Sequence, residues 1–321
     1  MKSLFEIFGP KKSATKDDGY VEAPTNLKGF FIVLGRKFWN ISNLNLLYVL
    51  CNIPIFFFLY TLTGQLNNHV QVVGNPLYPA YFGMLTISKD PSLLGLNGLV
   101  SKFVELSVPT TATYVFWGLS ALCILTFGLS NSGMAYIIRG YNRGEPIFIT
   151  SDFFGSVKRN WKQGLILGII DLLFCYLLVW DFIFWNAQGG FINGVFYYVS
   201  MFLCILYFFM RFYMYTIMIT FKLSIFKILK NSFLFAFLGA KRNIMALIGI
   251  AVVLVANVYL FYALPVFGVL LPLIITISLC CFISGYASYP VIKKFMIDPY
   301  YKEEHVSDED GNVETIFTDR G

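Results

Sequence analysis

The stretch Tyr136–Gly168 reads YIIRGYNRGEPIFITSDFFGSVKRNWKQGLILG and is the most structured polar segment in a very apolar chain. It joins two long apolar runs, and its second half has the amphipathic repeat of a short helix. A basic, aromatic helix of this kind is typical of a membrane surface. The apolar runs on either side are therefore predicted to be transmembrane helices.

Composition supports a membrane setting. Of the 321 residues, 57% are hydrophobic, 18% aromatic and only 13% charged, whereas soluble domains carry about 25% charged residues. The apolar residues collect into runs of about 20, the length that crosses the hydrocarbon core of a bilayer. We predict an all-α fold, a polytopic bundle of six transmembrane helices with two cytoplasmic interfacial helices. The predicted spans are residues 44–60, 114–138, 164–185, 196–220, 244–264 and 266–289.

Three further segments lie outside these spans. Residues 1–43 end in GFFIVLGRKFWN, which is predicted to be an interfacial helix or, alternatively, the start of the first membrane helix. Residues 61–113 form an insertion long enough for a small subdomain with short helices, for instance over 91–106. Residues 293–321 form a tail with an acidic end. Pro54 lies inside the first span, where a proline predicts a kink.

Basic residues set the orientation. Twenty-one of the 24 Lys and Arg residues fall in the N-terminal segment, the two interhelical linkers around 139–162 and 222–242, and the tail. The insertion 61–113 contains only Lys89 and Lys102. By the positive-inside rule both termini are cytoplasmic and the insertion is extracytoplasmic. The chain is thus predicted to be a multi-pass protein of the cytoplasmic membrane, in contact with lipid.

Charged residues inside the spans are the first candidates for a site. They are Asp171, Asp181 and Arg211, and each costs about 2.5–3.5 kcal/mol at the membrane centre unless it is paired or near water. At the helical rise per residue, Asp171 and Arg211 both fall toward the inner leaflet, so an ion pair between the third and fourth spans is predicted. The alternative is that Arg211 reaches the interface and Asp171 bonds a neighbouring hydroxyl. Asp181, between two tryptophans, is expected at the outer interface.

A run of small and polar residues, Ser130 to Gly133, lies in the second span. Such residues let helices approach closely and hydrogen-bond across an interface. Helix packing is the first interpretation of this run, and contact with a transported substrate is the alternative.

The two basic linkers are candidate contact surfaces. In the first, Thr150 or Ser151 is predicted to cap a helix that has an acidic first turn and a basic end. Its candidate contact residues are Asp152, Phe153, Phe154, Lys158, Arg159, Trp161 and Lys162. Those of the second linker are Lys227, Lys230, Lys241 and Arg242. Two interpretations stay open, an anchor on anionic lipid and a docking helix for a protein partner.

Signatures of chemistry are missing from the sequence. The six cysteines lie in or beside apolar runs without ligand spacing, and neither His69 nor His305 has a partner at a useful distance along the chain. Walker, dinucleotide, zinc-protease and serine-hydrolase motifs do not occur. We expect no enzyme activity, no catalytic residue, no cofactor and no metal. The net charge of +6 is explained by topology, so nucleic-acid binding is not expected.

Four stretches carry a family resemblance. They are NLLYVLCNIP (Asn45–Pro54), AYIIRGYNRGE (Ala135–Glu145), SDFFGSVKRNWKQ (Ser151–Gln163) and KILKNSFLFA (Lys227–Ala236). Together they resemble the YesL-like family of bacterial integral membrane proteins of unknown function, and the resemblance covers nearly all of residues 28–289. It departs at 61–113, where most relatives have a short connection. It implies six helices and an association with carbohydrate uptake, because such proteins tend to be encoded with sugar ABC transporter components, and it supplies no site residues.

Three functional hypotheses follow. The first is a non-enzymatic accessory or regulatory protein linked to carbohydrate ABC-type uptake, with sugar transporter permease subunits as the expected partners. Neither linker has the E-A-A signature of such permeases, so the chain does not resemble the permease itself. The second is a small secondary transporter or channel that uses Asp171 and Arg211. The third is a structural organiser of the membrane.

Overall fold

The computed structural model describes residues 25–74, 77–87, 92 and 103–299. The prediction of an all-α polytopic membrane bundle is confirmed. Among the described residues, five helical segments are long and apolar enough to cross a membrane, or six if α1 and α2, defined below, form one broken span. Residues 1–24 of the N-terminal segment and 300–321 of the tail lie outside the described residues. The chain divides into two compact units, Met1–Asn52 with Ile124–Gly321, and Ile53–Cys123.

In chain order the elements are α1 (Leu27–Cys51), α2 (Ile53–Leu62), β1 (Asn68–Val73), α3 (Tyr78–Ile87), β2 (Phe103–Val108), α4 (Thr111–Ser120), α5 (Cys123–Arg143), α6 (Ile149–Arg159), α7 (Trp161–Ala187), α8 (Phe191–Thr220), α9 (Ile225–Leu238), α10 (Ala240–Ala263), α11 (Pro265–Leu271) and α12 (Ile277–Ile292). Two π-helical turns, Pro272–Thr276 and Lys293–Ile297, precede and follow α12. The candidate spans are α1 with α2, Thr111–Arg143, α7, α8, α10 and Pro265–Ile297. Each predicted span falls inside one of them, apart from Leu264 between α10 and α11.

Of the two interpretations of GFFIVLGRKFWN, the structure supports the start of the first membrane helix. α1 runs without interruption from Leu27 to Cys51, so GFFIVLGRKFWN is the start of this helix and does not form a separate interfacial helix. The carboxamide oxygen of Asn26 caps the helix by accepting the N–H of Gly29 at 2.7 Å. The helix ends at Asn52, because Pro54 in the next turn cannot donate a backbone hydrogen bond and its ring crowds the preceding turn.

The smaller unit contains a two-stranded antiparallel sheet. Asn68 of β1 pairs with Val108 and Val73 with Phe103. The expectation of short helices over 91–106 is wrong for 103–106, which belong to β2, since FVELSV alternates apolar and polar residues with the period of a strand. Residues 91 and 93–102 of that expectation lie outside the described residues. α3 is a short helix in the insertion.

Two of the spans cross at backbone contact. A Cβ atom placed on Gly128 of α5 would lie 2.1 Å from the carbonyl oxygen of Gly164 and 2.6 Å from the Cα of Gly168, both in α7. Only glycine permits so close an approach, as is common between membrane helices. One turn further along α5, Gly133 makes room for the ring of Phe153 from α6, 2.7 Å from an ideal Cβ. At Gly133 the run 130–133 therefore has a packing role.

The break before α12 is stabilised from α1. Asn45 Nδ2 donates to the carbonyl oxygens of Pro272 at 2.9 Å and Leu273 at 2.7 Å, and its Oδ1 accepts the N–H of Ser278 at 2.7 Å. Ser42 Oγ donates to the carbonyl oxygen of Ile274 at 3.0 Å. A proline and a π turn release backbone groups that lipid cannot bond, so neighbouring side chains must do so.

The helices α6 and α9 lie at the same end of the larger unit. Arg139, near the end of α5, donates through Nη1 to Thr220 Oγ1 at the end of α8, at 3.2 Å. Gln163, at the start of α7, donates through Nε2 to the carbonyl oxygen of Leu223, just before α9, at 3.0 Å. These contacts bring the two connections that carry α6 and α9 side by side.

Replacing Gly128 with Ala should lower the melting temperature of the detergent-solubilised protein. The added methyl group would meet backbone atoms of α7, which cannot rotate away, and overpacking of this kind costs about 1–3 kcal/mol or more. Gly155→Ala in α6 is the control, because a Cβ there meets nothing within 4 Å and alanine is the better helix former. Equal melting temperatures for the two variants, followed by intrinsic fluorescence, would contradict the close crossing.

Candidate functional site

The polar centre of the larger unit is the carboxylate of Asp171. Asp171 lies on α7 and is fully buried. An isolated carboxylate at this depth would be strongly disfavoured, so its partners decide whether it can be charged. Among the described residues, its ionic and hydroxyl partners all come from one neighbouring helix, α8.

Those partners form a stripe one helical turn apart. Tyr207 donates through its hydroxyl to Asp171 Oδ1 at 2.8 Å, and Tyr215 donates to Oδ2 at 2.9 Å. Between them, Arg211 Nε lies 3.0 Å from Oδ1 and 3.2 Å from Oδ2. Residues four apart on a helix share a face, which is why one face of α8 can surround a single carboxylate. The Cys175 thiol, one turn along α7, adds a weak contact to Oδ1 at 3.7 Å.

This arrangement compensates a buried charge. The guanidinium supplies the opposite charge, and the two hydroxyls supply hydrogen bonds that water would otherwise provide. Arg211 is also held from the side, since its Cζ lies 5.7 Å from the ring centroid of Phe127 on α5. A buried pair with satisfied partners is costly to break by removing one member, typically by 3–5 kcal/mol. The cluster therefore ties α7 to α8 and fixes where the guanidinium lies.

Beside the guanidinium there is a cavity of about 370 Å³. Arg211 and Tyr215 line it, whereas Asp171 does not, so they separate the carboxylate from the empty space. The Arg211 side chain is 31% exposed. In the described part of the chain its hydrogen bonds run from Nε, which leaves the two terminal nitrogens without a protein acceptor.

A second polar group on the cavity is the amide of Asn131 on α5. Its Oδ1 accepts the hydroxyl of Tyr48 from α1 at 3.0 Å. Its Nδ2 is buried and has no hydrogen-bond partner among the described residues. The rest of the lining is mainly apolar and comes from α5, α8, α10 and the segment around α12. Examples are Met134, Phe208, Phe212, Ile250 and Leu254.

The structure brings Asp171 and Arg211 together as the depth argument predicted. The alternative is partly present too, because Asp171 also accepts hydroxyl hydrogen bonds. Sequence reasoning missed the two donors, Tyr207 and Tyr215. Their spacing of four residues on either side of Arg211 was the available signal.

Asp181 lies in a separate polar contact near the end of α7. Its Oδ1 accepts the indole N–H of Trp185 at 2.9 Å, and its Oδ2 accepts the hydroxyl of Ser200 from α8. Hydrogen-bonded tryptophan beside a carboxylate suits a membrane–water boundary. Asp181 lies ten residues from Asp171 on the same helix, about 15 Å away at the helical rise per residue, and it does not line the cavity.

The capping prediction for α6 is wrong. The helix begins at Ile149, and neither Thr150 nor Ser151 caps it. Instead, Asp152 in the first turn bonds the backbone before the helix, since its Oδ2 accepts the N–H of Phe148 at 2.7 Å. The physical reason is that the helix starts before the two hydroxyl residues, which places the carboxylate of its first turn over the free N–H groups.

The prediction that Phe153 contacts lipid or a partner is also wrong. Phe153 is 1% exposed, because its ring fills the space beside Gly133. Its neighbour Ser156 is buried and donates to the carbonyl oxygen of Ser132 at 3.3 Å. The aromatic members of the predicted contact set are thus divided, since Phe153 is buried while Phe154 and Trp161 are exposed.

The basic residues of both linkers lie mostly at the surface. Arg159 and Arg139 lie over the ring of Tyr136, with Cζ 5.0 Å and 5.1 Å from its centroid. Lys162 Nζ lies 5.5 Å from the ring centroid of Trp161. The exposed members of the predicted set are Lys158, Arg159, Lys162, Lys227, Lys230 and Lys241, while Asp152 and Arg242 are partly buried.

Fold and site define the class of this protein, a multi-pass integral membrane protein with a buried ion pair beside an internal cavity. Residues 107–182 match the model of a family described as protein of unknown function, DUF624. That match covers less than half of the chain and ends before α8, so it includes Asp171 but not its partners. No curated protein and no solved structure matches the chain. Within the described residues no group of three or more His, Cys, Asp or Glu side chains is placed to hold a metal ion.

The coupling between Asp171 and Arg211 can be measured by a double-mutant cycle. Arg211→Leu leaves a buried carboxylate without its counter-charge and should cost about 3–5 kcal/mol. Adding Asp171→Leu should restore part of the lost stability, because no charge then remains in the apolar interior. Thermal unfolding of the purified protein in detergent is the measurement, and Lys158→Leu on the exposed face of α6 is the control, with an expected change within about 0.5 kcal/mol. Losses that simply add would contradict an ion pair.

Proposed function

We propose that this protein is a non-enzymatic accessory or regulatory component of a bacterial cytoplasmic membrane, linked to carbohydrate uptake by an ABC-type transporter. Both termini and the helices α6 and α9 are proposed to face the cytoplasm. In this account α6 and α9 contact permease subunits of the transporter. The link to carbohydrate uptake rests on the family resemblance, and the contact surface rests on the geometry of the two helices.

One observation carries the proposal. α6 and α9 each connect two spans, lie at the same end of the unit, and are fixed by one buried face while the opposite face is exposed. In α9 the buried residues are Ile228, Ser232, Phe235 and Ala236. The exposed residues of α6 and α9 include Phe154, Lys158, Phe226, Lys227, Lys230 and Phe237, and Trp161 and Lys162 at the start of α7 are exposed as well. A rigidly held face that combines aromatic and basic side chains fits a protein contact, since the few residues that dominate binding energy at interfaces are enriched in Trp, Tyr and Arg, and Trp161 and Arg159 are both exposed here.

The same composition also favours anionic lipid, at about 1 kcal/mol for each basic residue near the surface. The two interpretations differ in what should be recovered with the protein. A lipid anchor requires no protein partner, whereas docking requires a stable complex.

Topology supplies the first test. A fluorescent protein that folds only in the cytoplasm, fused after the C-terminus, should be bright, because the basic residues favour retention of both linkers and the tail on that side. Alkaline phosphatase at the same position should be inactive. Active phosphatase and a dark fluorescent fusion would overturn the proposed orientation and, with it, a cytoplasmic contact surface.

Co-purification is the second test. The tagged protein, extracted from native membranes in mild detergent, should recover permease subunits of a carbohydrate transporter, identified by mass spectrometry. A variant in which Lys158, Lys162, Lys227 and Lys230 are all changed to Gln should no longer recover the permease subunits. It should remain folded, since all four side chains are exposed. Lys28→Gln, exposed on α1, is the matched control. Recovery of the protein alone, or undiminished permease with the quadruple variant, would exclude this surface as the docking site.

A second candidate, a small secondary transporter or channel, is favoured by the cavity next to Arg211. Buried charges in membrane helices commonly mark substrate or ion pathways. Purified protein in liposomes that moves a solute by itself would establish this candidate over the accessory role.

A further inference from the structure

We propose that the cavity beside Arg211 is a binding site for a small amphiphilic carboxylate, with the carboxylate on Arg211 and Asn131 and the apolar part against the remaining lining. This site goes beyond the accessory role and does not depend on it. The proposal rests on the size of the cavity, on which hydrogen-bonding groups lack partners, and on where the charges lie.

The size fits a small organic molecule. A volume of about 370 Å³ lies within the range of about 300–1,000 Å³ found for ligand pockets. The walls come from helices of one compact unit, with Tyr48 from α1, Asn131 from α5, Arg211 from α8, Leu254 from α10 and Ser284 from α12. The space is partly open, its walls come from five helices, and one of its lining groups is a charged side chain.

Two polar groups on the cavity, Arg211 and Asn131, carry N–H donors that lack a regular protein acceptor in the described part of the chain. Arg211 uses Nε for Asp171, and its terminal nitrogens have no protein acceptor in the described part of the chain. The Asn131 Nδ2 amide is buried and makes no hydrogen bond of ordinary geometry among the described residues, although the Tyr215 hydroxyl is close enough to interact with Asn131, and its acceptor Oδ1 is occupied by Tyr48. Guanidinium and amide N–H groups can only donate. A ligand that satisfies both must therefore present acceptor oxygens, and an end-on guanidinium suits the two oxygens of a carboxylate.

The cavity favours an anion even though the charges of Asp171 and Arg211 sum to zero. Asp171 does not line the cavity, and it is surrounded by the hydroxyls of Tyr207 and Tyr215 as well as by Arg211. A carboxylate in the cavity would touch the guanidinium and lie farther from Asp171, with Arg211 between them. Because Coulomb energy falls with distance, the attraction exceeds the repulsion.

The apolar lining of the cavity determines which kind of group can be attached to the carboxylate. The lining contains the hydroxyl residues Thr216, Thr276 and Ser284, but its larger part, such as Phe208, Phe212, Met134, Ile250 and Leu254, offers no hydrogen bonds. A free sugar, with a hydroxyl on nearly every carbon, would therefore leave some of its hydroxyls unsatisfied at a cost of about 1–3 kcal/mol each. An alkyl or aryl chain would instead gain from burial. A short fatty acid combines both requirements.

Radiolabelled octanoate is the probe for the test. The full-length protein in phosphatidylcholine nanodiscs, with empty nanodiscs subtracted, should bind it saturably at about one molecule per chain. Octanol, which has the same chain without the charge, and acetate, which has the charge without the chain, should each compete at least about tenfold more weakly, as expected when one of two binding contributions is lost. No saturable binding, or equal competition by octanol, would overturn the carboxylate site.

Two variants on α5 make the test specific to the site. Asn131→Leu should weaken octanoate binding about tenfold or more, because it removes a hydrogen bond to a charged group. Thr126→Val is the matched control, since the Thr126 hydroxyl is also buried without a partner among the described residues but does not line the cavity. It should bind octanoate as the unmodified protein does. Unchanged binding by Asn131→Leu, or an equal loss in both variants, would exclude Asn131 and contradict the proposed geometry. Recovery of permease subunits is measured independently, so failure of octanoate binding leaves the accessory role standing.

Discussion

A charge buried among membrane helices needs protein groups in place of water, and one face of α8 supplies these groups to Asp171. Two tyrosine hydroxyls and a guanidinium occupy three successive turns and point at the same carboxylate. This constraint sets the register of α8 against α7, because a shift of one turn would leave a charge without its partner. It also positions the far side of the guanidinium next to the cavity. The stability of the bundle and the chemistry of its interior thus depend on the same contact.

Two other polar groups of the spans, Asn45 and Asn243, bond the backbone. Asn45 bonds the carbonyl groups that Pro272 and the π turn release, and Asn243 in α10 accepts the hydroxyl of Tyr213 at 2.6 Å while it donates to the carbonyl oxygen of Ala236 at 3.0 Å. In hydrocarbon no water can take these roles. Asn131 differs from both, because half of its amide remains unmatched. Of these three asparagines, Asn131 is the one that lines the cavity, so its bonding suggests a ligand instead of a structural contact.

Much of the fold and part of the candidate site could be predicted from the sequence. The features that could not be predicted depend on contacts between helices. Span positions follow from the lengths of apolar runs, and the Asp171–Arg211 contact follows from equal depth on adjacent helices. The donors Tyr207 and Tyr215 were missed because twenty tyrosines occur in the chain and composition does not say which of them face a carboxylate. Phe153 was wrongly predicted to be a surface contact residue, because its burial depends on the space left by Gly133, a residue of another helix. The cavity is a property of five helices together, so no local pattern contains it.

The ion pair between Asp171 and Arg211 requires an ionised Asp171 carboxylate inside the membrane, with Tyr207 and Tyr215 as its hydroxyl partners. Infrared spectroscopy of the reconstituted protein, with isotope-labelled aspartate and an Asp171→Asn difference spectrum, measures this directly. The account predicts that the signal lost in the variant is the stretching band of an ionised carboxylate. A lost signal in the carbonyl region of a protonated carboxylic acid would contradict it, because a neutral Asp171 would not form the ion pair on which the cluster depends.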